Sequence, residues 1–204
     1  MLNDTPFLLS RRGVLCGIAG AGLLAALPQA ALALDVAGAR SLIDKALGEV
    51  NAAISSGKPA TGMYGDFERI FARYADVPVI ARSALGVASR SASAAQMTAF
   101  TRAYQGYISR KYGRRFGEFI GGRIEVVDAY PVKSFYEVVS VAHLKGQAPF
   151  DVRWHVSDKS GKDLFFNIII EGVNMLASER TEIGAMLDRR RGNLDALIQD
   201  LKTA

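Results

Sequence analysis

Cysteine is almost missing from this chain: among 204 residues there is one, Cys16. Any domain that folds downstream of it has no disulfide, even in an oxidising compartment, and no thiolate to act as nucleophile or metal ligand. Histidine is nearly as scarce. His143 and His155 are the only two, and neither falls in a ligand motif such as H-E-x-x-H, so no metal is expected. The chain also lacks a G-x-S-x-G nucleophile turn. Gly113, Gly117, Gly121 and Gly122 lie on or after a helical pattern and not between a strand and a helix, which excludes a phosphate-binding glycine loop. No cofactor is implied. Strong charge of one sign is absent too, with 25 Lys and Arg against 20 Asp and Glu. The basic residues are dispersed, apart from Arg110-Lys111, Arg114-Arg115 and Arg189-Arg190-Arg191, and most read as solvated helix faces.

What is present begins with an export signal. Arg11-Arg12 precedes an uncharged apolar run, Gly13 to Leu27, which Pro28-Gln29 breaks before Ala31-Leu32-Ala33. A charged segment, an apolar segment and a small-x-small site, in that order, mark a secretory signal. The run is shorter than the roughly 20 residues of a membrane-spanning helix. Cleavage is expected after Ala33, dividing the chain into a signal, 1–33, and a single domain, 34–204. Ser10-Arg11-Arg12-Gly13-Val14-Leu15 resembles a twin-arginine signal, and a Sec signal with a basic start is the alternative. The domain has no internal repeat and is long enough to bury a sizeable core. An exported destination, the periplasm, argues against a nucleic-acid partner.

The hydrophobic period predicts helices first. Val36, Ile43, Leu47, Val50 and Ile54 mark an amphipathic helix, and Phe67, Ile70, Phe71 and Tyr74 a short second one after a loop reaching Gly65. Asp76-Val77-Pro78 opens a third, which Gly86 ends. Ser93 to Gln96 fits a capping box. The long helix that follows is expected to reach Phe119, with Met97, Phe100, Tyr104, Tyr107, Ile108 and Phe116 as an aromatic stripe. The period then falls to two. Strands are expected over 123–129, 135–144, 150–156 and 164–173, the last with Leu164, Phe166, Ile168 and Ile170 on one face. Helices over 178–189 and from Leu194 close the chain. Helices, a four-strand antiparallel meander, then helices make an α+β fold, with helices on one face of a curved sheet. Such a shell can enclose an apolar pocket or a filled core, and periodicity does not separate them.

The best acid–base candidates are Asp128, Glu137 and Glu171, which could meet Tyr136 or His155 across strands. They form no convincing catalytic set. An enzyme using Glu137 or Glu171 as base, on a cone-shaped α+β fold of the ketosteroid-isomerase type, stands as one alternative function. A scaffold that binds a partner and no ligand is another.

Two segments carry a family likeness. Ala81-Arg82-Ser83-Ala84-Leu85-Gly86, with Ser91-Ala92-Ser93, Gln96, Phe100 and Tyr112, is one. Asn167 to Met175, containing Glu171-Gly172-Val173, with Arg180 and the Leu-rich tail Leu194 to Leu201, is the other. Together they resemble the MlaC, or toluene-tolerance auxiliary, family of Gram-negative bacteria. Asn167, Asn174, Ser89, Glu179 and Ile183 depart from the family's usual residues, which suggests a divergent branch. The resemblance implies a non-enzymatic periplasmic phospholipid carrier. It would shuttle lipid between an inner-membrane ABC transporter complex and an outer-membrane lipoprotein partner, maintaining outer-membrane lipid asymmetry. The hopanoid-associated HpnM branch makes a hopanoid the alternative cargo. Acyl chains would lie in an apolar pocket, for which the expected lining is Phe67, Phe71, Ile80, Leu85, Phe100, Tyr104, Ile108, Val126, Val138, Trp154, Phe166, Ile168 and Ile170. Arg82 and Arg180 are candidates to pair with Glu171 or to stand at the mouth.

Overall fold

The computed structural model describes residues 33–114 and 119–204. The expected signal, except Ala33, and Phe116 of the aromatic stripe lie outside the described residues.

Helix α1, Val36–Ile54, starts where the Asp35 carboxylate accepts from Gly38 N at 2.7 Å, a side-chain cap on an otherwise orphan donor. Its buried residues Ala39, Ile43, Ala46, Leu47, Val50 and Ile54 recur at three and four, as the pattern required. Helix α2, Ala60–Tyr74, begins behind Pro59, inside the stretch expected to be loop. Helix α3, Val77–Leu85, is capped by the Asp76 side chain on Val79 N, with Pro78 in its first turn. A 3₁₀ turn, Gly86–Arg90, leads on to α4, Ala94–Gly113. The capping box forms in both directions between Ser93 and Gln96. Helix α4 stops at Gly113, short of the expected Phe119. There α2 crosses so closely that a Cβ would stand 2.7 Å from the Tyr64 ring.

The meander follows: β1, Arg123–Val132; β2, Phe135–His143; β3, Phe150–Ser157; and β4, Leu164–Ile170. All neighbours pair antiparallel. A fifth strand was not expected. Glu171 and Gly172, with φ of 48° and 79°, form a two-residue left-handed turn. It folds β5, Val173–Asn174, back onto Ile169 and Ile170. The sheet is open, in the order β1 to β5. Asn174 then caps α5, Met175–Arg189, which starts before the expected Ser178. Asn193 caps α6, Leu194–Thr203.

One register shift corrects the sequence reading. Val156 pairs with Phe165 and His155 with Asn167, which leaves Phe166 as the extra residue of a β-bulge. Strict alternation put Phe166 on the dry face. Instead Phe165 takes that place, edge-on to Trp154 at 5.2 Å between ring centres. Phe166 turns to the opposite face, beside Phe135 and His155. The helices and the dry face, with Val138, Ala142, Val152, Trp154 and Val156, share one apolar core.

Candidate binding site

Helix α4 carries Phe100, Tyr104, Tyr107 and Ile108 on one side, since residues three and four apart share a face. The Phe100 and Tyr104 rings stack with centres 5.7 Å apart, and Tyr107 continues the row at 6.3 Å. Of the residues expected around a pocket, Phe67, Ile80, Leu85, Phe100, Tyr104, Ile108, Val138 and Trp154 are buried in a single cluster. Phe71, Val126, Phe166, Ile168 and Ile170 are half-buried against it. The cluster also holds Phe165, Met63, Ile183 and Leu197, which the sequence reading left out of the site. Met63 lay in the supposed loop, and Phe165 on the wrong side of an unforeseen bulge. Phe100, Tyr104 and Val138 are 0% exposed, so no water-sized space touches them here.

Two surface depressions lie elsewhere. One of about 300 Å³ sits between α4 and α6, bordered by Ala99, Arg102, Gly106, Arg110 and Lys202. The other, about 500 Å³, lies between α3 and α4, bordered by Pro78, Arg82, Met97, Thr101, Arg102 and Gln105. No residue expected to line the pocket borders either. Arg82 and Arg180 make no ion pair with Glu171 among the described residues. Arg82 borders the larger depression, and the Arg180 guanidinium lies over Gly86, 3.1 Å from where a Cβ would stand.

Two polar networks involve buried carboxylates. Between α4 and α5, Glu179 Oε1 takes Lys111 Nζ at 2.8 Å and the Tyr112 hydroxyl at 2.5 Å, while Glu182 takes Lys111 and Tyr107. Burial pushes the Tyr107 phenol up to about 12, helped by the Glu182 carboxylate. The Tyr104 hydroxyl and Glu179 Oε2 are buried without a partner. On the outer face of the sheet, Glu137 Oε1 accepts from Tyr130 and from Arg153 at 3.0 Å, and His155 Nε2 stands 3.2 Å from Oε2.

The structure thus brings Glu137 and His155 together, as the sequence allowed, and separates the other acid–base candidates. Asp128 accepts from its neighbour Ala129 N, Glu171 sits exposed in the β4–β5 turn, and the Tyr136 hydroxyl donates to Leu34 O. Both oxygens of Glu137 are engaged by neighbouring side chains, which gives it a structural part in the sheet.

Residues 40–203, nearly the whole domain, match the MlaC protein family. This chain belongs to the MlaC family. Its fold recurs in a solved structure, a phospholipid-binding protein from Ralstonia solanacearum in complex with a phospholipid. The two agree with a TM-score of 0.68 over 80% of this chain and 94% of that one, at 15% sequence identity. That likeness establishes a shared α+β architecture of helices on an open antiparallel sheet. No helix among the described residues is long and apolar enough to cross a membrane.

Proposed function

We propose that this protein is a periplasmic lipid carrier that buries the acyl chains of a phospholipid between its helices and its sheet. Membership of the MlaC family over residues 40–203 is the observation that carries the reading. The fold shared with a phospholipid complex supports it. So does the chemistry: an acyl chain gains about 0.8 kcal/mol per CH₂ when removed from water, and the interior is lined mainly by apolar and aromatic side chains. The pocket forms where the expected lining residues now meet one another, by the parting of the helices from one another and from the sheet. The half-buried edge of Phe71, Ile168 and Ile170 is the way in, while Val126 lies across the sheet on β1, beyond β2 and β3. Phe166, turned outward, borders that edge and not the interior.

The carrier is made with a cleaved signal at 1–33. It passes lipid between an inner-membrane ABC transporter complex and an outer-membrane lipoprotein, so maintaining outer-membrane asymmetry. A hopanoid is the alternative cargo. No catalytic step is required, and the Glu137 and Glu179 carboxylates are each held by a cation, Arg153 and Lys111.

The test is native mass spectrometry of protein recovered from the periplasm without detergent, with extraction and identification of whatever is bound. A stoichiometric phospholipid supports the reading, a hopanoid moves the cargo to the alternative, and an apo mass with no uptake from vesicles refutes it. Trp154, the one tryptophan, reports the location. Phospholipid brominated on its acyl chains should quench its fluorescence by more than half. Undiminished emission with lipid bound would put the chains elsewhere.

A further inference from the structure

We infer that the α3–α4 groove is a docking face for a membrane surface of anionic phospholipid headgroups, separate from any lipid held inside. The observation is electrostatic. From Val77 to Gly113, through α3, the 3₁₀ turn and α4, the chain has no Asp or Glu, although it has 20 elsewhere. The groove in that stretch is about 500 Å³, with Arg82 on one wall and Arg102 on the other. Neither guanidinium has an ion pair or hydrogen bond among the described residues, whereas Arg73, Arg153 and Arg190 all have carboxylate partners. Arg102 also borders the neighbouring depression, with Arg110 and Lys202 on its rim. At Gly86, just past the end of α3, Arg180 adds another cation, which has no ion pair among the described residues.

Arginine is costly to leave without a purpose only when buried, so exposure alone would mean little. Here two features point to an occupant. The cations sit on both sides of one concavity that no carboxylate borders among the described residues, which concentrates positive potential there. The lining between them mixes polar Thr98, Thr101 and Gln105 with apolar Pro78 and Met97, and Val79, beside Pro78 on α3, is 40% exposed. Guanidinium groups beside exposed apolar side chains match a bilayer interface, where phosphates lie just above the first methylenes. A free phosphate ion fits less well, because the groove is open and has no buried donor to close around it. The inference does not depend on the carrier reading, since it concerns the outside of the molecule.

The experiment is co-flotation of the protein, as recovered from its host, with vesicles of equal parts phosphatidylglycerol and phosphatidylcholine. Vesicles of phosphatidylcholine alone serve as reference. Binding is expected to the anionic vesicles, to weaken as salt rises, and to fall about thirtyfold in the double variant Arg82→Ala/Arg102→Ala, at a decade of affinity for each 1.4 kcal/mol. Both side chains are exposed, so the variant should keep its fold, checked by circular dichroism. Arg82→Lys/Arg102→Lys should restore most of the binding. Lys159→Ala/Lys162→Ala, which removes two exposed charges from the β3–β4 turn, should change it less than twofold. Equal loss in the lysine variant would reduce the effect to net charge and overturn the inference. So would wild-type binding by the arginine variant. No binding to either vesicle would also overturn it and leave the groove to an acidic protein surface. Lipid extracted from the same variant separates this outcome from the carrier reading: a variant that keeps its cargo but leaves the vesicles has lost docking alone.

Discussion

Lys111 Nζ stands 2.8 Å from Glu179 Oε1 and ties α4 to α5 at a carboxylate whose side chain is only 4% exposed. Burial disfavours the charged ammonium, but its hydrogen bonds to Glu179 and Glu182 outweigh that and hold Lys111 well above the usual lysine range. Replacing Lys111 with Met leaves a buried carboxylate whose remaining partner is the Tyr112 hydroxyl. A loss of about 3 kcal/mol is expected, the lower end for a broken buried pair because Lys111 is partly solvated. Urea denaturation measures it, and a loss below about 1 kcal/mol would mean that water replaces the lysine.

Tyr104 presents the opposite case. Its hydroxyl is buried and has no partner. Burial, then the nearby Glu179 charge, push the phenol far above its ordinary range, so it stays protonated. Tyr104→Phe removes an unmet polar group and keeps the ring that stacks on Phe100. Stability should be unchanged or raised by up to about 1 kcal/mol. A clear loss in thermal denaturation would reveal a bound water between the hydroxyl and Glu179 Oε2.

The outer-face network sets part of the acid response. Burial favours the neutral form of Glu137, but hydrogen bonds from Tyr130, Arg153 and His155 together hold its carboxyl below the usual range. A carboxylate with a depressed folded-state pKa contributes its full stability above the unfolded value, about 4.3 for Glu. That contribution is lost as pH falls through the folded-state value. Glu137→Gln should therefore destabilise the protein at neutral pH and flatten the acid limb of its stability curve. Parallel curves for variant and wild type below pH 5 would show that Glu137 is not a source of that limb.

Leu34 gives a handle on processing. Its side chain is buried, its carbonyl accepts from the Tyr136 hydroxyl at 2.7 Å, and its N–H points at Asp158 Oδ2, 3.3 Å away. Cleavage after Ala33 would turn that N–H into an ammonium beside a carboxylate. N-terminal sequencing of periplasmic protein should begin Leu34-Asp35. Asp158→Asn should then cost about 0.5–1 kcal/mol. A start beyond Asp35 would remove the anchored residue and refute the assignment.

Much of the fold was legible before any coordinates. The start of α3 at Asp76, the Ser93 capping box, the apolar stripes of α1 and α4 and the four-strand meander are local patterns, because a cap or a period is written within a few residues. Eight of the thirteen residues expected around a pocket lie in one buried cluster. Less local features escaped. The Phe166 bulge depends on how β4 meets β3, and nothing within Leu164–Ile170 marks which phenylalanine is surplus. The close packing at Gly113 depends on Tyr64, which arrives from another helix. The Lys111–Glu179 pair joins residues far apart in the chain, and each alone reads as an ordinary surface charge.

The sequence by itself therefore determined the main helices and strands, their order and the apolar stripes they bury, since these follow from side-chain chemistry at fixed local spacing. Only the tertiary structure decided which aromatic faces inward, which carboxylates are held by cations and which arginines are left exposed. Those outcomes depend on strand register and helix packing, where a one-residue shift carries a side chain to the opposite face.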